Sequence, residues 1–176
     1  MFMTVEHGRV YGPDLMIEMI KRSAKKGYTN FFFGGKSGVS EILRDKLIGR
    51  FAELCIVGVF SPPFRSLNQR EENEVYELFE RLSPDITWVG LSTPKQERWM
   101  ATNIHKLNTR VMIGVGAAFD FHTGLLKQAP KWMQKCGLEW AFRLYVEPRR
   151  LWKRYLKNNP LFIWKFALEI LGIKKY

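Results

Sequence analysis

Short apolar runs alternate with amphipathic stretches along the first 128 residues. Asn30 to Phe33, Leu54 to Phe60, Asp85 to Leu91 and Arg110 to Val115 are brief and largely apolar. A run without a polar face reads as a strand covered on both sides. Between these runs the apolar spacing changes. Pro13 to Gly27 places Leu15, Met16, Met19 and Ile20 in one stripe, with Pro13 suited to a first helical turn and Gly27 to a stop. Further helices are predicted from about Val39 to Phe51, Glu71 to Leu82 and Pro94 to Leu107. Repeated βα alternation predicts an α/β fold, a Rossmann-like parallel sheet flanked by helices on both faces. From Ala129 onward the pattern becomes helical and aromatic. We therefore expect a core over residues 1–128 and a basic, aromatic helical appendage over 129–176. Within the appendage, Glu147-Pro148 should end one helix. Arg149 to Lys157 should begin another, with Leu151, Trp152, Tyr155 and Leu156 grouped on one side. Pro160 should then open a separate apolar segment from Leu161 to Ile173.

Charge sharpens that division. The net charge is +11, with 28 Lys+Arg against 17 Asp+Glu. Residues 127–176 carry 12 basic and 3 acidic residues, leaving 16 and 14 for residues 1–126. A near-neutral body with a basic tail points to an anionic partner such as phosphate, nucleic acid or a membrane surface. No run approaches the ~20 apolar residues needed to span a bilayer. Met1 to Tyr11 has no signal-peptide pattern. Cys55 and Cys136 lack metal-pair spacing, and Cys55 is expected to be a buried free thiol in an apolar strand.

Candidate chemistry clusters where strands end, which is where open α/β sheets bind ligands. The first stretch is Phe33-Gly-Gly-Lys-Ser-Gly38. Its glycines Gly34 and Gly35 could admit a phosphate to backbone N–H groups, with Lys36 beside it. It matches neither a full Walker A loop nor a GxGxxG fingerprint, and a plain βα turn explains it equally well. The second is Gly114-Val-Gly-Ala-Ala-Phe-Asp120. Gly114 and Gly116 permit close approach, and Asp120 could bond a ribose or sugar hydroxyl or simply cap a turn. His122 reads as a surface or supporting residue. The third is Thr93-Pro-Lys-Gln-Glu97. Glu97 suits the helix dipole, and Gln96 can both donate and accept toward a uracil edge, a sugar or a phosphate. No Ser/His/Asp grouping, metal-ligand cluster or DxD pair stands out. The implied chemistry is the positioning of a phosphorylated ligand.

Taken together these stretches resemble the WecG/TagA/CpsF family of bacterial glycosyltransferases. The matching residues are Arg9-Val-Tyr-Gly-Pro-Asp-Leu15, Phe32-Phe-Gly-Gly-Lys36, Gly90-Leu-Ser-Thr-Pro-Lys-Gln-Glu97, Gly114-Val-Gly-Ala-Ala-Phe-Asp-Phe121, Ala129-Pro-Lys-Trp-Met133, Gly137-Leu-Glu-Trp-Ala-Phe-Arg143 and Glu147-Pro-Arg-Arg150. The ordered set covers the chain from Arg9 onward.

The resemblance implies transfer of an N-acetylmannosamine-type sugar from a UDP-sugar to a polyprenyl-diphosphate-linked acceptor. Such steps build teichoic acid, capsule or exopolysaccharide at the cytoplasmic face of the plasma membrane. A basic, aromatic tail fits peripheral attachment to anionic lipid. Arg9 and Gln96 are the expected catalytic residues. Expected substrate contacts are Asp14, Gly34, Gly35, Lys36, Lys95, Glu97, Gly114, Gly116 and Asp120, with Arg143 and Arg150 from the tail. No metal or other cofactor is expected. Nucleic acid is not the expected partner, because the family motifs count against it. Family members carry a catalytic aspartate in an Ala-Asp-Gly stretch ahead of the Arg9 motif, and only Met1 to Gly8 precede it here. Asp14 belongs to a different motif. Residues 1–176 alone are therefore expected to transfer sugar poorly, and the alternative reading is a UDP-sugar-binding module without turnover.

Overall fold

Four parallel strands form one sheet in the order β2-β1-β3-β4. They are β1 (Thr29–Gly34), β2 (Cys55–Phe60), β3 (Ile86–Gly90) and β4 (Val111–Gly114). The structure is a computed structural model. It describes residues 10–172, excepting the side chains of Arg150, Arg154 and Lys157. Arg9 lies outside the described residues. The chain forms two compact units, residues 1–126 and 127–176.

In the first unit, α1 (Gly12–Lys26) precedes the sheet. Between and after its strands come α2 (Val39–Arg50), α3 (Gln69–Leu82), α4 (Lys95–Asn103) and α5 (Ala118–Thr123). Side chains along a strand alternate between faces. The run Phe31-Phe32-Phe33 therefore supplies both cores. Phe32 joins Met16, Ile20, Leu43 and Phe119 on the face covered by α1, α2 and α5. Phe31 and Phe33 join Val75 and Phe79 on the other, where Trp99 and Met100 of α4 also pack. All three phenylalanines are fully buried, and each contributes ~1.5–3 kcal/mol through that burial. Helices on both faces explain the lack of polar alternation in β1.

Two polar clusters fix the ends. At the start of β1, buried Asn30 donates to Ser23 Oγ at 2.6 Å and accepts from Trp88 Nε1 at 3.0 Å. At the start of α3, Asn68 and Glu71 form a reciprocal capping box. Arg65 also grips Glu71 through two hydrogen bonds of 2.6 Å. The Arg65 hydrogen bonds, followed by the Asn68 N–H, hold the Glu71 carboxyl down at about 2.

Cys55 departs from expectation. It is exposed, as the first residue of β2, the strand at one edge of the sheet. Cys136 is exposed as well.

The second unit contains α6 (Lys131–Lys135), α7 (Glu139–Val146) and α8 (Pro148–Ile170). Trp140 of α7 meets Tyr155 of α8 edge to face at 6.0 Å. Leu151 is buried, whereas Trp152 and Leu156 are exposed, so the expected four-residue group is split. Pro160 does not open a separate segment. It lies inside one 23-residue helix. Proline removes one N–H from the ladder, leaving the Leu156 carbonyl without its usual donor. Leu156 is exposed, so water can serve that carbonyl.

Candidate functional site

The strand order creates a switch point. From β1 the chain leaves through α2 on one face, and from β3 it leaves through α4 on the other. Adjacent strands whose connections diverge open a crevice at their carboxyl ends. Here the crevice lies between Gly34 and Gly90, which are register partners.

A cavity of about 520 Å³ opens at this edge. Its walls come from the loops after β1, β2 and β3 and from α3 and α4, with Asp120 of α5 at one end. The floor is aromatic. Phe33 stacks on Trp99 at 3.9 Å between ring centres, and on Phe60 at 5.5 Å. At the α3–α4 end, Tyr76 Oη donates to Asn103 Oδ1 at 3.2 Å, and Asn103 Nδ2 donates to the Trp99 carbonyl at 2.8 Å. The volume falls within the range of small-molecule sites, which are concave, mostly apolar and fitted with a few fixed polar groups.

The structure sorts the residues expected from sequence. Gly35, Lys36, Lys95 and Asp120 line the cavity. Gly34 serves the backbone: a Cβ there would stand 2.5 Å from the Gly90 carbonyl oxygen. Its own carbonyl accepts from Ser40 Oγ at 2.6 Å and Ser61 Oγ at 3.1 Å. The Gly35 N–H is also engaged, donating to Gly90 O at 2.9 Å. The first two glycines thus close the strand ends together. The first turn of α2, whose N-cap is Gly38, has no side-chain cap, and its Val39 N–H donates to the Lys36 carbonyl at 2.9 Å.

Gln96 is turned inward instead of facing the cavity. It is buried, and its Oε1 accepts the Gly116 N–H at 2.8 Å. Any Cβ at Gly114 would collide with its amide. Gln96, Gly114 and Gly116 therefore form one tie between the β3–α4 and β4–α5 connections. Gln96 does not line the cavity. Glu97 accepts from Thr93 Oγ1 at 3.2 Å, a local contact on an exposed face. Asp14 is exposed in the first turn of α1. Near it, His122 Nε2 donates to the Pro13 carbonyl at 3.0 Å, and burial pushes the His122 pKa down. That bond joins α5 to α1, so His122 has a supporting place in the fold. Arg143 belongs to the second unit and lies 3.8 Å from Glu139. Arg150 is in α8.

Lys95 has an internal role that sequence did not show. Its Nζ donates to the Phe64 carbonyl at 2.7 Å and sits 4.3 Å from the centre of the Phe64 ring. It fastens the β2–α3 connection across the cavity mouth. Among the lining residues that the sequence analysis did not single out are Arg98 and Glu72. Arg98 was one more charge on an amphipathic helix, and Glu72 was one among several acids on α3. Counting strand-end motifs could not find them, because each reaches the cavity from within a helix.

A doubly wound parallel sheet with a cavity at its switch point places the first unit among α/β folds of the Rossmann-like kind. The comparison with known sequences is more specific. The profile of the Glycosyl transferase WecG/TagA/CpsF family matches residues 2–176, and the chain belongs to this family. It is similar to the N-acetylglucosaminyldiphosphoundecaprenol N-acetyl-beta-D-mannosaminyltransferase of Bacillus subtilis (strain 168), at 32% identity over 95% of this chain and 61% of the relative. The protein of the same name from Staphylococcus aureus (strain MRSA252) is 29% identical over 95% of this chain and 63% of its own length. The chain thus spans less than two thirds of these relatives.

Proposed function

We propose that the first unit binds a UDP-sugar in the switch-point cavity, for transfer of an N-acetylmannosamine-type sugar to a polyprenyl-diphosphate-linked N-acetylglucosamine. The observation that carries this reading is the cavity itself, placed where Gly34 and Gly90 meet. An acceptor hydroxyl gives its proton to a general base and attacks the anomeric carbon, the bond to the diphosphate breaks, and UDP departs with added negative charge. Basic side chains lining the cavity are suited to that charge. Asp120 and Glu72 suit ribose or sugar hydroxyls, since carboxylates accept hydrogen bonds and repel phosphate.

The test pairs a UDP titration, followed through backbone amide resonances, with radiolabelled transfer from UDP-N-acetylmannosamine to the lipid acceptor. Shifts at Gly35, Lys36 and Ser92 together with labelled lipid support the reading. The same shifts without product leave a UDP-sugar-binding module. Shifts confined to the amino ends of the strands overturn both.

We also propose that the second unit rests on the anionic cytoplasmic surface of the plasma membrane. Among the described residues no helix is long and apolar enough to cross a bilayer. On α8, however, Phe162, Phe166 and Ile170 recur at helical spacing and are exposed, as are Ile163 and Trp164. An apolar stripe within a basic segment suits interfacial binding, with ~1 kcal/mol from each basic residue near the surface. Liposome flotation tests this. The full chain is expected to float with anionic vesicles and much less with neutral ones, and a chain ending at Pro148 is expected to stay behind. Equal flotation of the two chains would discard the proposal.

A further inference from the structure

We infer that Lys36 and Arg98 are the pair of cations that hold the diphosphate of the donor, and that Lys95 and Arg65 are not. This rests on the UDP-sugar reading above and names the residues that would read its phosphates.

Four cations line the cavity: Lys36, Arg65, Lys95 and Arg98. Two are already engaged. Arg65 gives both terminal nitrogens to Glu71 and bonds the Ser66 carbonyl at 3.0 Å. A guanidinium held by a carboxylate in a fork has little charge left for a second anion. Lys95 is held by the Phe64 carbonyl and ring. Drawing it toward a phosphate would release the loop that forms one cavity wall. Among the described residues, the side chains of Lys36 and Arg98 have no hydrogen-bond or ion-pair partner, and both residues are exposed and line the cavity.

Their places in the topology complement each other. Lys36 follows β1 and directly precedes the first turn of α2, while Arg98 projects from α4, which follows β3. They rise from the two banks of the crevice between the strand ends. Lys36 adds a point charge, and Arg98 adds a planar fork suited to paired phosphate oxygens. One cation on each bank matches a diphosphate lying across the crevice. The carboxylates of Asp120 and Glu72 are in the same cavity, so phosphate needs local cations to settle there at all.

The experiment compares UDP with uridine, which keeps base and ribose and lacks phosphate. Both are titrated by NMR against the wild-type chain and the Lys36→Gln, Arg98→Gln and Lys95→Met variants. Lys36→Gln and Arg98→Gln are each expected to weaken UDP about tenfold, the size of one charge-assisted contact, and to leave uridine unchanged. Arg98→Lys should recover part of the loss. Lys95→Met should weaken uridine and UDP alike, because it frees a wall. The salt dependence of UDP binding should become shallower in the Lys36 and Arg98 variants. Equal losses for UDP and uridine in Arg98→Gln, or no loss in either, overturn the pair while the UDP reading stands. A wild-type chain that binds neither ligand at the strand ends overturns that reading and the pair with it. Amide spectra of each variant show whether it is folded, and Arg98→Lys provides a second variant if Arg98→Gln is not.

Discussion

Gly34→Ala is expected to destabilise the first unit by ~3–5 kcal/mol and to abolish ligand binding at the switch point. Gly34 has φ 135°, a backbone conformation L side chains rarely adopt. Holding a non-glycine residue in such a region costs ~1–3 kcal/mol. The added Cβ would also stand 2.5 Å from Gly90 O, 2.6 Å from Gly90 C and 2.8 Å from its Cα. These are backbone atoms of the next strand, so no side chain can swing away. Overpacking of this kind costs another ~1–3 kcal/mol. The strands must then separate at their carboxyl ends, which breaks the 2.9 Å hydrogen bond from Gly35 to Gly90. That bond holds the crevice in shape, so stability and binding fall together. The loss is a large share of the ~5–15 kcal/mol typical of a domain. Urea denaturation measures it. Gly49→Ala is the control. That glycine is in α2 with nothing within 4 Å of the added Cβ, and alanine there should be neutral or stabilising by up to ~1 kcal/mol. If Gly34→Ala unfolds within ~0.5 kcal/mol of wild type, the close approach of β1 and β3 does not have the structural role assigned to it.

The same glycine shows what the sequence can disclose. Period and punctuation were enough to place the four strands and the helices α1 to α4 of the first unit, though not the short α5, because burial on both faces leaves a continuous apolar run such as Phe31-Phe32-Phe33. They were also enough to locate the site region, since glycine and polar stretches interrupt the pattern where strands end. What each residue does there was not legible. Gly34 and Gly35 carry a phosphate-loop composition, yet one fits the backbone of β3 and the other bonds to it. Gln96 is polar and follows a strand, which made it look like a ligand contact. Its partner is the N–H of Gly116, twenty residues away in sequence, and no local pattern encodes that bond. Lys95 reads as a substrate cation until the β2–α3 connection folds back across it. Each of these internal contacts involves a long-range partner.

Exposure was misjudged for a related reason. An apolar run at Cys55 predicts burial, but sheet order decides which strand lies at the edge, and composition does not reveal that order. In the second unit, Pro160 is a strong local signal against helix, and α8 continues through it. A single missing N–H can be borne by an exposed helix whose affected carbonyl reaches water.

Asn30→Ala is expected to cost ~3 kcal/mol or more in stability and to leave UDP affinity of the folded protein unchanged. Asn30 is fully buried at the amino end of β1. Its Nδ2 donates to Ser23 Oγ at 2.6 Å, the Tyr28 carbonyl at 2.9 Å and the Cys55 carbonyl at 3.2 Å. Its Oδ1 accepts from Trp88 Nε1 at 3.0 Å. One amide therefore links α1, β1, β2 and β3. Alanine would strand the Trp88 N–H in a site with no exposure, where an unsatisfied polar group costs ~1–3 kcal/mol. Loss of the other contacts and the space left behind add to this. Asn30→Asp should be no better, because a carboxylate would face the Tyr28 and Cys55 carbonyls. Trp88→Phe in the Asn30→Ala background should recover part of the loss by removing the stranded donor, and a double-mutant cycle measures that coupling. The network is four residues from Gly34, about 13 Å along an extended strand. Ligand titration below the unfolding transition should accordingly give the wild-type affinity. An Asn30→Ala protein within ~1 kcal/mol of wild type would show that solvent or repacking replaces the network. A folded variant that has lost UDP binding would show instead that this end of the sheet controls the crevice at the other.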